Sequence, residues 1–91
     1  MNKLIELRKI QTAHKNLSSV AINTSFHEVK TYSDIYNSKI FFKREYLQKI
    51  RSFKIRGAYN KIISLSAQEV ENGIVCASAG NHAQGFAVSC E

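Results

Sequence analysis

The chain contains no proline, so no Pro-rich linker divides it, and it shows neither a repeat nor a low-complexity segment. It also lacks any apolar run near the ~20 residues that a bilayer span requires, which argues against a membrane. Residues Met1 to Gln11 mix charges with apolar side chains and have no uninterrupted apolar core or small-residue cleavage site, so they do not read as a signal peptide. These two absences favour the cytoplasm. Cysteine is scarce: Cys76 and Cys90 lie among small apolar residues and are expected to be buried free thiols. Cys76, His82 and Cys90 lack the paired spacings of a zinc site, and no metal is expected. Basic residues are absent from residues 62–91 and crowded elsewhere, with seven of the thirteen lying between Lys43 and Lys61. Such a block usually marks a solvated face. No nucleic-acid-binding motif accompanies it, so nucleic acid is not an expected partner, and a basic interaction fragment stands only as the non-enzyme alternative.

A length of 91 residues bounds the chain to one small domain at most, with a modest core. Its 44% hydrophobic content excludes wholesale disorder. Leu4, Ile5, Leu7, Ile10, Ala13 and Leu17 recur near a 3.6-residue period and predict a helix over 3–17. Asn23-Thr24-Ser25 reads as a connection. A short helix is expected over Thr31 to Asn37, capped by Thr31 or Ser33, and a strand over Lys39 to Lys43. Arg44 to Arg51 reads as an irregular loop. Ser52 is a good N-cap for a helix whose buried stripe is Ile55, Ala58, Tyr59, Ile62 and Leu65. Ser66-Ala67-Gln68-Glu69 has the form of a capping box, and Gly73 ends the turn that it opens. Ile74 to Ala77 is a buried-strand candidate. A last helix from Asn81 should turn Ala83, Phe86, Ala87 and Cys90 inward. This alternation predicts an α/β protein with parallel strands, and two strands with one crossover helix do not make an independent sheet.

Two segments carry chemistry. In the first, Lys54 starts a helix beside Phe53, with Arg51 and Arg56 close in sequence and a small-residue patch at Gly57-Ala58. An amine that bonds to carbonyls reacts as the free base, and burial, neighbouring positive charge and a helix N-terminus all favour the neutral form. Surface helices also start with ordinary lysines, so the features are consistent with a tuned amine without requiring one. The second segment, Ser78 to Gly85, follows the strand candidate and opens a helix, which is where open α/β sheets take ligands. Its backbone N–H groups and the positive helix end suit an anion such as a carboxylate. Asn81 can donate and accept, and Ser78 can donate its hydroxyl. The Gly80 to Gly85 spacing is not a P-loop, because Phe86-Ala87 stands where Lys-Ser/Thr belongs. His82 reads as a hydrogen-bonding residue at a helix start, while its titration near neutrality leaves proton transfer open.

Taken jointly, Ser52-Phe53-Lys54-Ile55-Arg56-Gly57-Ala58-Tyr59-Asn60 resembles the lysine motif of the serine/threonine dehydratases. Lys43-Arg44-Glu45-Tyr46-Leu47-Gln48 resembles the segment that precedes it, and Cys76-Ala77-Ser78-Ala79-Gly80-Asn81-His82-Ala83-Gln84-Gly85 the asparagine loop of that family. The similarity runs in one register from about Leu4 to Glu91 and looks closest to the biosynthetic threonine deaminases that open isoleucine synthesis. It implies the N-terminal part of a fold type II pyridoxal-phosphate-dependent (tryptophan synthase β-like) three-layer fold, incomplete, with residues 1–91 a fragment of the catalytic domain. It implies pyridoxal 5'-phosphate as cofactor, carried covalently by Lys54, with Phe53 against its ring and Asn81 hydrogen-bonded to its 3-oxygen. Ser78, Gly80, Asn81 and His82 would receive the carboxylate of a small amino-acid substrate. The implied reaction eliminates water from L-threonine, and hydrolysis of the resulting imine yields 2-oxobutanoate and ammonia. The parent enzyme would be a homo-oligomer. A serine dehydratase or serine racemase of the same family is the alternative.

The family's glycine-rich phosphate loop, the residue that meets the pyridine nitrogen and the regulatory domain are not in this sequence. The 91 residues alone are therefore expected to be catalytically silent. Two positions depart from the family pattern: Tyr46 stands for the usual aspartate and Ser25 for the usual proline. The first removes a charge near the site, and the second frees the unfolded chain.

Overall fold

The computed structural model of the chain describes residues 4–91. The Lys3 end of the first expected helix lies outside them. That helix, α1 (Leu7–Leu17), starts later than its apolar period suggests. Glu6 is extended and caps nothing with its side chain, which pairs with Arg8 instead. Of the α1 stripe only Leu17 is buried, whereas Leu4, Ile5, Leu7 and Ile10 remain exposed.

A ribbon follows, made of β1 (Phe26–Glu28), α2 (Lys30–Ile35) and β2 (Phe41–Lys43). The strands pair antiparallel, with Phe26 opposite Lys43, His27 opposite Phe42 and Glu28 opposite Phe41. Phe26 and Phe41 are thus diagonal neighbours on one face, and their rings stack at 5.3 Å. Neither expected serine or threonine cap serves α2. Ser33 is buried within the helix, and its hydroxyl accepts the Ile40 N–H at 2.9 Å, turning the chain back into β2.

The parallel pair expected from the element alternation is not formed among the described residues. The sheet is antiparallel, and Ile74 to Ala77 enters no ladder. A strand needs a neighbour for its N–H and C=O groups. None lies beside this segment, and Val75 is 95% exposed.

After a 3-10 turn at Glu45–Leu47 comes α3 (Lys54–Ile62), the central element, which packs on α1 and on α5 (Asn81–Ser89). Its 3.6-residue stripe behaves as the spacing predicts: Ile55 is 1% exposed, Ala58 is buried, and Tyr59, Ile62 and Leu65 are half-buried. Phe53, not Ser52, is the N-cap. Ser52 is itself buried, its hydroxyl only 3.4 Å from the Lys54 N–H.

The capping box at α4 (Ala67–Glu71) forms as expected. The Ser66 hydroxyl accepts the Glu69 N–H at 3.3 Å, and the Glu69 carboxylate takes the Ser66 N–H at 2.8 Å. Gly73, at φ +80°, ends the element in a conformation that favours glycine.

Helix α5 buries a different face from the expected one. Gly85 sits at its centre, Ala83 and Phe86 are half-buried, and Ala87 and Cys90 are exposed. Cys76 is exposed as well, so neither thiol is a core residue: the strand that would have covered Cys76 is missing, and Cys90 lies off the seam. The buried apolar set is small: Leu17, Ile50, Ile55 and Ala58. The radius of gyration is 16.3 Å, against about 12 Å for a compact domain of this length, so these elements lie open rather than enclosing one core. No helix among the described residues is long and apolar enough to cross a membrane.

Candidate active site

Lys54 is the first residue of α3, and the chain reaching it is pinned. The Gln48 carbonyl accepts the Arg51 N–H at 2.8 Å. Arg51 adopts a left-handed conformation, φ 61°, rare for a residue with a Cβ. Ile50 and Ser52 are buried on either side of it. With those two turned inward, Phe53 and Lys54 project outward. Phe53 is 60% exposed, and the Lys54 ammonium lies 5.4 Å from the centroid of its ring, within cation–π range.

The loop before α5 is organised by Ser78. Its hydroxyl oxygen accepts the N–H groups of Gly80 at 3.2 Å and Ala83 at 3.1 Å. Both lone pairs are then used, and only the hydroxyl proton is left to offer. The N–H groups of Asn81 and His82, in the first turn of α5, have no acceptor among the described residues. The Ser78 hydroxyl and these two amides are all donors, a set matched to an acceptor-only group such as a carboxylate.

Gly85 fixes where that loop stands. A Cβ at this position would lie 3.1 Å from the Lys54 carbonyl oxygen and 3.3 Å from the Ala58 Cβ. A glycine here lets α5 approach the first turn of α3 more closely than a Cβ would without a small shift, and this contact seats the helix that the asparagine loop opens on the lysine helix. The side chains flanking α5 still diverge. Asn81 lines an open cleft with Lys49, Ile50 and Arg51. His82 faces an apolar cavity of about 250 Å³ between α3 and the 74–76 segment, beside Ala58, Ile62 and Phe86. Lys54 lines neither. The chain thus brings Ser78, Gly80, Asn81 and His82 into one turn at the start of the helix whose Gly85 meets the Lys54 backbone, and the two cavities beside that turn do not include Lys54.

The sequence reading passed over a polar knot directly upstream. Arg56 grips Glu45 with two N–H groups, at 2.7 and 2.9 Å. Thr24 donates its hydroxyl to the same carboxylate at 2.8 Å. Gln48, 1% exposed, exchanges two hydrogen bonds with the Ile22 backbone, at 2.8 and 2.7 Å. The Arg56 guanidinium holds the Glu45 carboxyl down at about 2, with help from Thr24 and Gln48 and against the cost of burial. In turn Glu45 raises the Arg56 value. No periodicity announces such a knot, because its members come from three distant segments. The one local signal is the polar Glu45-x-x-Gln48 pair at the spacing of a tight turn. Tyr46, one of the two departures from the family pattern, is exposed, and nothing in the structure explains it.

The family profile described as "Pyridoxal-phosphate dependent enzyme" matches residues 17–91, and the chain belongs to that family. It is 51% identical over 90 residues to the biosynthetic L-threonine dehydratase of Bacillus subtilis, covering 99% of this chain and 21% of that protein. Among solved structures, maize serine racemase superposes with a TM-score of 0.84 at 32% identity, covering 97% of this chain and 28% of its own. The processed form of threonine deaminase isoform 2 from Solanum lycopersicum gives a TM-score of 0.73 at 33% identity, covering 99% and 26%. The chain therefore spans about a fifth of the curated relative's length and adopts part of the fold type II architecture.

The residues present suit one side of pyridoxal phosphate. Lys54 offers an exposed amine, Phe53 a free aromatic face, and the Ser78–His82 turn a set of unpaired donors. For the phosphate the described residues offer no glycine-rich loop, the four glycines being scattered at 57, 73, 80 and 85.

Proposed function

We propose that residues 1–91 are the N-terminal part of a pyridoxal-phosphate catalytic domain that eliminates water from L-threonine and, with water returned on hydrolysis of the resulting imine, yields 2-oxobutanoate and ammonia, the opening step of isoleucine synthesis. The observation that carries this reading is the Gly85 contact, which seats the helix opened by the carboxylate-suited donor turn on the first turn of the lysine helix. The substrate is suggested by the name of the 51%-identical Bacillus subtilis relative. Lys54 would hold the cofactor through its amine, and its Nζ would take the proton from the substrate Cα. Phe53 and Asn81 would be the residues that meet the cofactor ring and its 3-oxygen. The Ser78 hydroxyl and the N–H groups of the Gly80–His82 turn hold the carboxylate and so orient the Cα–H bond. Pyridoxal phosphate, when bound, supplies the electron sink. We place this chemistry in the cytoplasm, in a homo-oligomer of the complete protein, and we expect no turnover from the 91 residues alone, because they carry no glycine-rich loop for the cofactor phosphate.

Borohydride reduction in the presence of pyridoxal phosphate, followed by peptide mapping, tests the central assignment. An adduct concentrated on Lys54 among the nine lysines is the expected result. Labelling spread evenly over them would remove the assignment. Ammonia release from threonine by the 91-residue chain would contradict the expected silence. A serine racemase is the second reading, favoured by the higher TM-score to the maize enzyme. D-serine among the products of the complete protein would establish it in place of the first.

A further inference from the structure

Residues 45–56 form a ring. It is closed at its ends by the two-pronged contact of Arg56 with Glu45, across eleven positions. The ring is tied to the Ile22–Thr24 segment through Gln48, Thr24 and an Arg56 N–H to the Ile22 carbonyl at 3.2 Å. Inside it lies the one strained backbone near the candidate lysine, Arg51 at φ 61°. The residues that turn inward there, Ile50 and Ser52, alternate with those that project, Arg51 and Phe53. Lys54 sits two residues before the arginine that closes the ring. A left-handed non-glycine residue persists only where its surroundings over-determine it, and here the Gln48 carbonyl, from a residue tied into the knot, accepts the Arg51 N–H at 2.8 Å.

We propose that the Glu45–Arg56 pair, with Thr24 and Gln48, acts as a clamp that sets the backbone of Phe53 and Lys54, making Arg56 and Glu45 positioning residues for the lysine. The proposal rests on the reading of Lys54 as the cofactor-bearing residue. Arg56 is bonded to Glu45 and to the Ile22 carbonyl, and its fork geometry is one that lysine cannot copy. Arg56→Lys keeps the charge and loses the two-pronged contact. Glu45→Gln keeps the shape and loses the ion pair, and Thr24→Val removes a single hydrogen bond.

Two measurements on the 91-residue chain decide the matter. The first is amide hydrogen exchange across residues 50–58. The second is the fraction of reduced pyridoxal-phosphate adduct found on Lys54. R56K and E45Q are expected to raise exchange in this segment and to lower the Lys54 share of the label severalfold, towards the even share among the nine lysines. T24V should fall between them and wild type. E69A, which breaks the remote capping box, should move neither. If R56K and E45Q leave exchange at 50–58 unchanged, the clamp is overturned. The same holds if exchange rises while the Lys54 share stays at the wild-type level. Wild-type labelling without preference for Lys54 would instead refute the lysine assignment and leave the exchange measurement to decide whether the knot fixes this backbone. Should R56K lose its helical signal, E45Q and T24V carry the test.

Discussion

The knot around Glu45 and the turn around Asn81 are both polar, and they are built in opposite ways. In the knot the Glu45 carboxylate and the Gln48 amide are met by partners inside the chain, and none of the buried side-chain polar atoms among the described residues is without a partner. In the turn the Ser78 hydroxyl proton and the N–H groups of Asn81 and His82 are left facing outward. Satisfied polar groups stabilise a fold, whereas unsatisfied donors held in place are what a ligand can use. The contrast teaches that substitutions in the first region should cost stability, while those in the second should cost binding and leave the fold standing.

The strongest test of that contrast is Arg56→Ala. It strands a half-buried carboxylate, and a loss of about 2–3 kcal/mol is expected in a denaturant melt. A loss below 0.5 kcal/mol, the range of ordinary surface changes, would mean that the knot is decorative.

Acid should dismantle the same region without mutation. The Glu45 carboxyl is lowered from 4.5 to about 2 in the folded chain. The folded form thus binds fewer protons than the unfolded one within that window. The contribution of Glu45 is present above about 4.5 and is lost as pH falls towards 2. Melts between pH 5 and 2 should show this slope in the wild type and a shallower one in E45Q.

The seam joining the two regions is probed by Gly85→Ala. The added Cβ meets the Lys54 carbonyl oxygen at 3.1 Å, so α5 must shift, at a cost of about 1–2 kcal/mol. Labelling of Lys54 should fall with it. Unchanged melting and labelling would show that the helices are free to slide.

The smallest stability effect belongs to the open turn. Asn81→Ala should stay within about 0.5 kcal/mol of wild type, since Asn81 is exposed and makes no internal side-chain bond among the described residues. Its effect should appear in cofactor affinity, read by absorbance titration in the complete protein.

Much of the local architecture was legible from residue order. The α3 stripe of Ile55, Ala58, Tyr59, Ile62 and Leu65 follows from helical period alone. The Ser66–Glu69 box and the stop at Gly73 depend on neighbours three or four residues apart. The motifs around Lys54 and Asn81 were readable as a family pattern, and the family assignment agrees. The misreadings share one cause. Ile74 to Ala77 has strand-forming residues yet no strand beside it. Ala87 and Cys90 obey the apolar period of α5, but the close approach at Gly85 rotates the buried face away from them. Ser52 is suited to cap α3 but is drawn inward beside Ile50.

Residue order by itself determined the helices, the α4 cap and the chemistry on offer: one candidate amine beside an aromatic ring, and one turn rich in donors. These depend on interactions within a few residues, whose energies are set locally. Tertiary structure alone decided that Glu45, Gln48 and Arg56 lock together with Thr24, that β1 pairs with β2, and that Gly85 seats the helix opened by the donor turn on the lysine helix. Each of these joins residues far apart in the chain. Such contacts form only where the packed backbone brings their partners within bonding distance.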